Sequence, residues 1–186
     1  MGKSTAAGFF LQRSACVVDT DEIARRLVQP DQPAVAEIKK TFGKKIIAPD
    51  GQLRRAELAK IVFKDFAARE KLEEILHPRI RASWQSQLET WRQENCKLAV
   101  VVIPLLFETQ AESNFDKILC VACSANAQRE RLRTRGWNDE QISQRIAAQM
   151  PIEEKIARAD FVIWNEGDLT NLAKQIEQIL SANFCE

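Results

Sequence analysis

Residues 97–104, KLAVVVIP, constrain the fold of this chain more than any other stretch. The run is apolar almost throughout and rich in β-branched side chains, with no alternation between apolar and polar positions. A strand apolar on both sides needs cover on both faces, and helices layered over a parallel sheet supply it. Shorter runs repeat the theme at 15–19 (ACVVD), 117–123 (KILCVAC) and 161–164 (FVIW). Helical patterns lie between them, including one at about 78–94 and one at about 168–181. The alternation predicts an α/β fold of three layers with a parallel sheet.

One block breaks it. From 33 to 95 the pattern is helical, punctuated by Gly43, Pro49-Asp50-Gly51 and His77-Pro78, with no strand signal. The expected organisation is a single domain, with a core of 1–32 and 96–186 and a helical insertion over 33–95. Insertions of this kind often contact substrate, because ligand sites form at the carboxyl ends of parallel strands.

Lys plus Arg exceed Asp plus Glu by one, so no global field points to nucleic acid or to an acidic surface. No apolar run approaches the ~20 residues of a membrane span, and the start lacks the order of a signal peptide. The five cysteines, Cys16, Cys96, Cys120, Cys123 and Cys185, are an odd and scattered set. Cys120 and Cys123 have redox or zinc spacing, but a single His is too few to complete a structural zinc site of about four ligands. A reducing cytoplasm is the expected compartment.

Four stretches could carry chemistry. Gly2-Lys3-Ser4-Thr5 matches the end of a phosphate-binding loop running into a helix, although the tetrapeptide alone is weak. Asp19-Thr20-Asp21 follows Val17-Val18, at the carboxyl end of a strand. One carboxylate can accept a proton, or either can simply cap the helix that follows. The stretch 128–136, QRERLRTRG, puts Arg131 and Arg135 four apart on one helical face, with Gly136 as a hinge. It reads as a phosphate clamp or as a solvated basic face. His77-Pro78-Arg79-Ile80-Arg81 predicts a helix beginning at Pro78 with His77 as its cap, an amino end that could seat an anion.

Taken in order, GKST, VVDTDEIARRLV, DGQLRRAELAKIVF, LHPRIR, VVVIPLLFE, QRERLRTRG and RIAAQMPIEEKIARADFVIWNEG resemble dephospho-coenzyme A kinase. That family belongs to the P-loop kinases and is related in fold to nucleoside monophosphate kinases; the resemblance runs from Gly2 to about Leu180. It implies transfer of the γ-phosphoryl of ATP to the ribose 3′-hydroxyl of dephospho-coenzyme A, with Mg²⁺. Gly2, Lys3, Ser4 and Thr5 would bind ATP, Lys3 reaching the β- and γ-phosphates and Ser4 holding Mg²⁺. Asp21 would accept the hydroxyl proton, and Arg131 would clamp the transferring phosphoryl from a lid at about 125–150. Arg135, Arg145 and Gln149 would lie around ATP and Asn165 near the adenine. Asp19, Arg25, His77 and Arg81 would face the acceptor. The implied partners are these small molecules, with no nucleic acid and no membrane, and the implied state is a monomer.

The chain departs from the family pattern at Arg54, where Asp is usual. Strand 97–103 ends in Pro104 rather than the Asp of an ordinary Walker B motif, a feature the family shares. The family also begins with a strand and the loop GGIGSGKS, whereas here only Met1 precedes Gly2. The expectation is that the true start lies upstream or that the chain is a shortened relative with weakened ATP binding.

Overall fold

The fold is taken from a computed structural model, which describes residues 2–184. Cys185 lies outside the described residues. The chain divides into two compact units, one of residues 2–17 with 102–184 and the other Val18–Val101.

In chain order the first elements are α1 (Lys3–Gln12), β1 (Cys16–Asp19), α2 (Thr20–Leu27), α3 (Pro33–Phe42), α4 (Arg55–Lys64), α5 (Phe66–Gln93) and β2 (Ala99–Val102). They are followed by β3 (Leu119–Ala122), α6 (Ala125–Arg133), α7 (Asp139–Ala147), α8 (Ile152–Ala157), β4 (Phe161–Trp164) and α9 (Leu169–Asn183). The four strands fall on the four apolar runs, each hydrogen-bonded stretch four residues long. They form two ladders, β1 with β2 and β3 with β4. β3 and β4 are parallel, with Leu119 opposite Phe161 and Ala122 opposite Trp164.

The parallel pair shows why its sequence is apolar. Cys120, Val121, Ala122 and Ile163 are buried, and α9 packs against β4 with Leu172 and Ile176 buried. Asp160 fixes where the ladder starts: its carboxylate accepts the Ile118 N–H at 2.8 Å and the Lys117 ammonium at 3.1 Å. These hydrogen bonds, the Ile118 N–H foremost, hold the Asp160 carboxyl below its ordinary range. Asn165 N–H donates to Ala122 O, so the backbone of Trp164 points away from β3. There the Gln175 side chain takes both of its groups, accepting from Trp164 N–H at 3.0 Å and donating to Trp164 O at 3.1 Å.

From Pro33 to Gln93 the unit Val18–Val101 is helical apart from one antiparallel bridge, Ile47 with Leu53. Its core gathers Ala34, Ile38, Ile46, Leu58 and Ile75, with Phe42, Leu53 and Leu72 packed around them. α5 runs for 28 residues and contains Pro78. The expected helix start at Pro78 is therefore wrong, and His77 caps nothing. Asp65 is the cap instead, accepting from Ala67 N–H and Ala68 N–H. A proline in a helix interior removes one backbone hydrogen bond and crowds the preceding turn. α5 carries that cost because Ile75 on one side of Pro78 and Trp84 on the other are both buried.

Candidate active site

In the unit formed by 2–17 and 102–184, the site begins at the amino end of α1. Gly2 precedes the helix at φ +90°, and no side chain caps that end. Lys3, Ser4 and Thr5 form the first turn, with Ser4 and Thr5 exposed. A helix amino end carries partial positive charge and outward N–H groups, which suits an anion. A Cβ on Gly2 would lie 2.0 Å from the Asn165 side-chain nitrogen, so only glycine lets the backbone approach this closely. Asn165 is itself buried at the end of β4.

Asn165 is also the partner of Arg131. Arg131, on α6, donates through Nη2 to Asn165 O at 2.9 Å, while its Nη1 is buried without a partner. A guanidinium nitrogen left this way costs about 1–3 kcal/mol, which an incoming oxygen anion would recover. Gly2, Lys3, Ser4, Thr5, Asn165 and Arg131 are thus brought together by contacts within one unit.

Arg135 lies beyond the last residue of α6. α6 ends at Arg133, and Gly136 closes it at φ +84° with its N–H on Arg133 O, leaving Arg135 in the turn. Arg145, on α7, stacks its guanidinium 3.9 Å over the Trp137 ring, and burial lowers its pKa. Gln149 follows α7, half-buried.

Asp19 caps α2, accepting from Asp21 N–H at 2.8 Å, and Asp21 is exposed in the first turn of that helix. Arg25 lies one turn further along α2, exposed. α2 packs along α5, which carries the half-buried His77 and the exposed Arg81. All five belong to the unit Val18–Val101.

Sequence reasoning assigned no role to three groups that shape the first unit. Glu166 Oε1 accepts the Ser124 N–H at 2.5 Å, and Ser124 caps α6. Hydrogen bonds from Ser124, then the charge of Arg131, hold the Glu166 carboxyl below its usual range. Glu108 Oε1 receives both the buried Lys155 ammonium at 2.7 Å and the Met150 N–H at 2.9 Å. Burial pushes the Glu108 carboxyl up, but the hydrogen bonds from Lys155 and Met150 and the Lys155 charge outweigh it, and the pKa ends below the ordinary value. The only advance signal was that these residues fall inside PLLFE, PIEEK and NEG. Cys120 and Cys123 are buried free thiols; burial raises the Cys120 pKa, with the charges of Lys155 and Lys3 opposing.

The family model for dephospho-CoA kinase matches residues 1–171. A dephospho-CoA kinase of Bdellovibrio bacteriovorus is 38% identical over 179 residues, covering 96% of this chain and 89% of its own. One of Anaeromyxobacter dehalogenans is 41% identical over 181 residues, covering 97% and 86%. Among solved structures, a protein of Thermus thermophilus superposes with a TM-score of 0.82 at 32% identity, over 98% of this chain and 92% of that one. The dephospho-CoA kinase of Campylobacter jejuni gives 0.72 at 25% identity, with the same coverage. With the P-loop kinase fold of those structures and a family match over most of its length, this chain belongs to the dephospho-CoA kinase family.

Proposed function

We propose that the chain transfers the γ-phosphoryl group of ATP to the ribose 3′-hydroxyl of dephospho-coenzyme A, giving coenzyme A and ADP. The observation that carries this reading is the uncapped amino end of α1, linked through Asn165 to an arginine with one buried, unpartnered nitrogen. Both features call for the same thing, an oxygen-rich anion.

In this reading the helix amino end and Lys3 hold the β- and γ-phosphates. Arg131 takes an oxygen of the phosphoryl group as negative charge spreads over it. The 3′-oxygen attacks phosphorus, the bond to the bridging oxygen breaks, ADP leaves, and the hydroxyl proton passes to Asp21. Asp19 keeps Asp21 at the start of α2 by capping that helix. Arg25, His77 and Arg81, on the packed pair α2 and α5, bind the acceptor. Arg135, Arg145 and Gln149 bind ATP from the 125–150 arm, and Asn165 borders the adenine.

No group of three or more acidic, His or Cys side chains that could hold a metal occurs among the described residues. The exposed Ser4 hydroxyl beside an open helix end fits Mg²⁺ that arrives with the nucleotide, most of its oxygens coming from phosphate and water. Mg²⁺ bound there would neutralise charge on the β- and γ-phosphates. No described helix is long and apolar enough to cross a membrane. The reading places the enzyme in the cytoplasm as a monomer, a state that light scattering would check.

A coupled ADP-release assay tests the function by comparing dephospho-coenzyme A, AMP and pantetheine phosphate as acceptors. Dephospho-coenzyme A should give the highest kcat/KM, and a better rate with AMP would sink the reading.

A further inference from the structure

We propose that Glu108 and Glu166 are positioning residues that pin the two ends of the 125–149 arm, holding its ATP-binding side chains in place. The inference rests on the reading above that Arg131, Arg145 and Gln149 of this arm meet ATP.

The arm leaves the core at Ser124 and returns at Met150. At each of these points the backbone N–H is taken by a distant glutamate, Ser124 by Glu166 at 2.5 Å and Met150 by Glu108 at 2.9 Å. Between the pins the chain forms α6, a turn through Gly136 at φ +84°, and α7, and the two helices pack on each other. A helical pair closed on itself moves as a body about its two attachments unless those are fixed. An N–H donated to a carboxylate is a stronger fixing than one donated to a neutral oxygen.

The surroundings of each carboxylate favour a geometric role. Glu108 is paired with the buried Lys155, which also reaches Pro104 O at 3.4 Å, and Glu108 Oε2 is buried with no partner. An apolar pair of the same volume would often serve stability as well as a buried ion pair does. What the apolar pair cannot do is accept the Met150 N–H. Glu166 directly follows Asn165, whose carbonyl receives Arg131, so the two adjacent residues hold both the cap of α6 and its clamp side chain. Arg131 near one pin and Gln149 beside the other are thereby set before nucleotide arrives, and their ordering is not left to the binding step.

The experiment uses the whole chain and its Glu108→Ala, Glu166→Ala, Glu108→Gln and Glu166→Gln variants. It measures steady-state KM for ATP and for dephospho-coenzyme A, titration with a non-hydrolysable ATP analogue, melting temperature, and hydrogen exchange over 124–150. Each Ala variant should raise the KM for ATP roughly tenfold, the scale of one charge-assisted hydrogen bond, with the acceptor KM changed less than about twofold. Exchange across the arm should rise in the free protein and fall again with the analogue bound.

Gln keeps the accepting oxygen and should restore the KM for ATP at both positions. Glu108→Gln should nevertheless melt lower, because Lys155 stays buried without a counter-charge, so KM and melting temperature separate in that variant. Should Glu108→Ala fail to fold, the exposed Glu166 and the Gln pair still decide the matter. Ala variants that melt lower yet bind the analogue as tightly as the wild type would overturn the inference alone. A wild-type chain that binds no analogue overturns the functional reading, and this inference with it.

Discussion

Arg131→Met separates function from stability more sharply than any other single change. In the free protein the substitution removes one hydrogen bond, from Nη2 to Asn165 O at 2.9 Å. A bond from a charged donor is worth about 1.5–3 kcal/mol. The same change removes the buried, unpartnered Nη1, whose burden is about 1–3 kcal/mol. The two effects have opposite sign and similar size, so the net change in stability should stay within about 2 kcal/mol, or about 4–8 °C in Tm for a chain of this length. Methionine also fills much of the space left by the arginine stem. Activity should behave differently. An arginine acting on charge that develops in the transition state contributes about 10³-fold or more, equivalent to roughly 4 kcal/mol of barrier. Thermal unfolding without ligand, set beside kcat and KM from ADP release, reads both quantities. The expected result is a Tm changed by less than about 8 °C with kcat reduced about a thousandfold, and a smaller change in KM for ATP. A fall in Tm of ten degrees or so would make Arg131 a structural residue. A change confined to KM would make it a ground-state contact.

Asp21→Asn should nearly abolish kcat while both substrates still bind, because Asn keeps the shape of Asp but cannot accept the proton; Asp19→Asn should be mild, since Asn caps a helix as well as Asp does. Equal loss of stability in both would favour a capping role for both. Gly2→Ala should raise the KM for ATP several-fold, since the left-handed conformation costs a non-glycine residue about 1–2 kcal/mol and the new Cβ meets Asn165 at 2.0 Å. An unchanged titration with the ATP analogue would refute that close approach. Glu108 has a folded pKa below its unfolded one, so the native state binds fewer protons there. Its contribution is complete above the unfolded carboxyl range and is lost as pH falls through the folded pKa. Acid unfolding followed by circular dichroism should therefore shift to lower pH in the Glu108→Gln/Lys155→Met double variant, and no shift would refute the account.

β3 was legible because a strand covered on both faces writes its burial directly into sequence, as Cys120, Val121 and Ala122 do, whereas β4 is as apolar in sequence with only Ile163 buried. Pro78 misled the reading because its local meaning, a helix start, was overridden by packing on both sides of it. The spacing of Arg131 and Arg135 did not show that α6 ends at Arg133, with Arg135 in the turn before Gly136. Glu108 and Glu166 could not be assigned roles in advance. Each acts on a backbone N–H far away in the chain, and nothing in its own neighbourhood marks the partner. Arg54, the departure from the family pattern, stands exposed at the cap position of α4 with no side-chain capping bond. An aspartate would cap that helix better, whereas the charge of Arg54 acts on the Glu57 carboxylate in the first turn.

The Gln175 amide has a consequence for how the protein behaves in a crowded solution. An unpaired strand edge is a template on which another chain can lay itself down. By occupying Trp164 N–H and C=O together, Gln175 acts as a one-residue stand-in for a neighbouring strand, supplied by a helix that cannot itself extend the sheet. Val162 and Trp164 still present apolar side chains to solvent, 40% and 48% exposed, the sort of surface that makes a bare edge adhesive. With the backbone at Trp164 already satisfied, a foreign strand gains contact with those side chains but loses the ladder that would hold it. One amide therefore closes the Trp164 end of this short edge to an added strand.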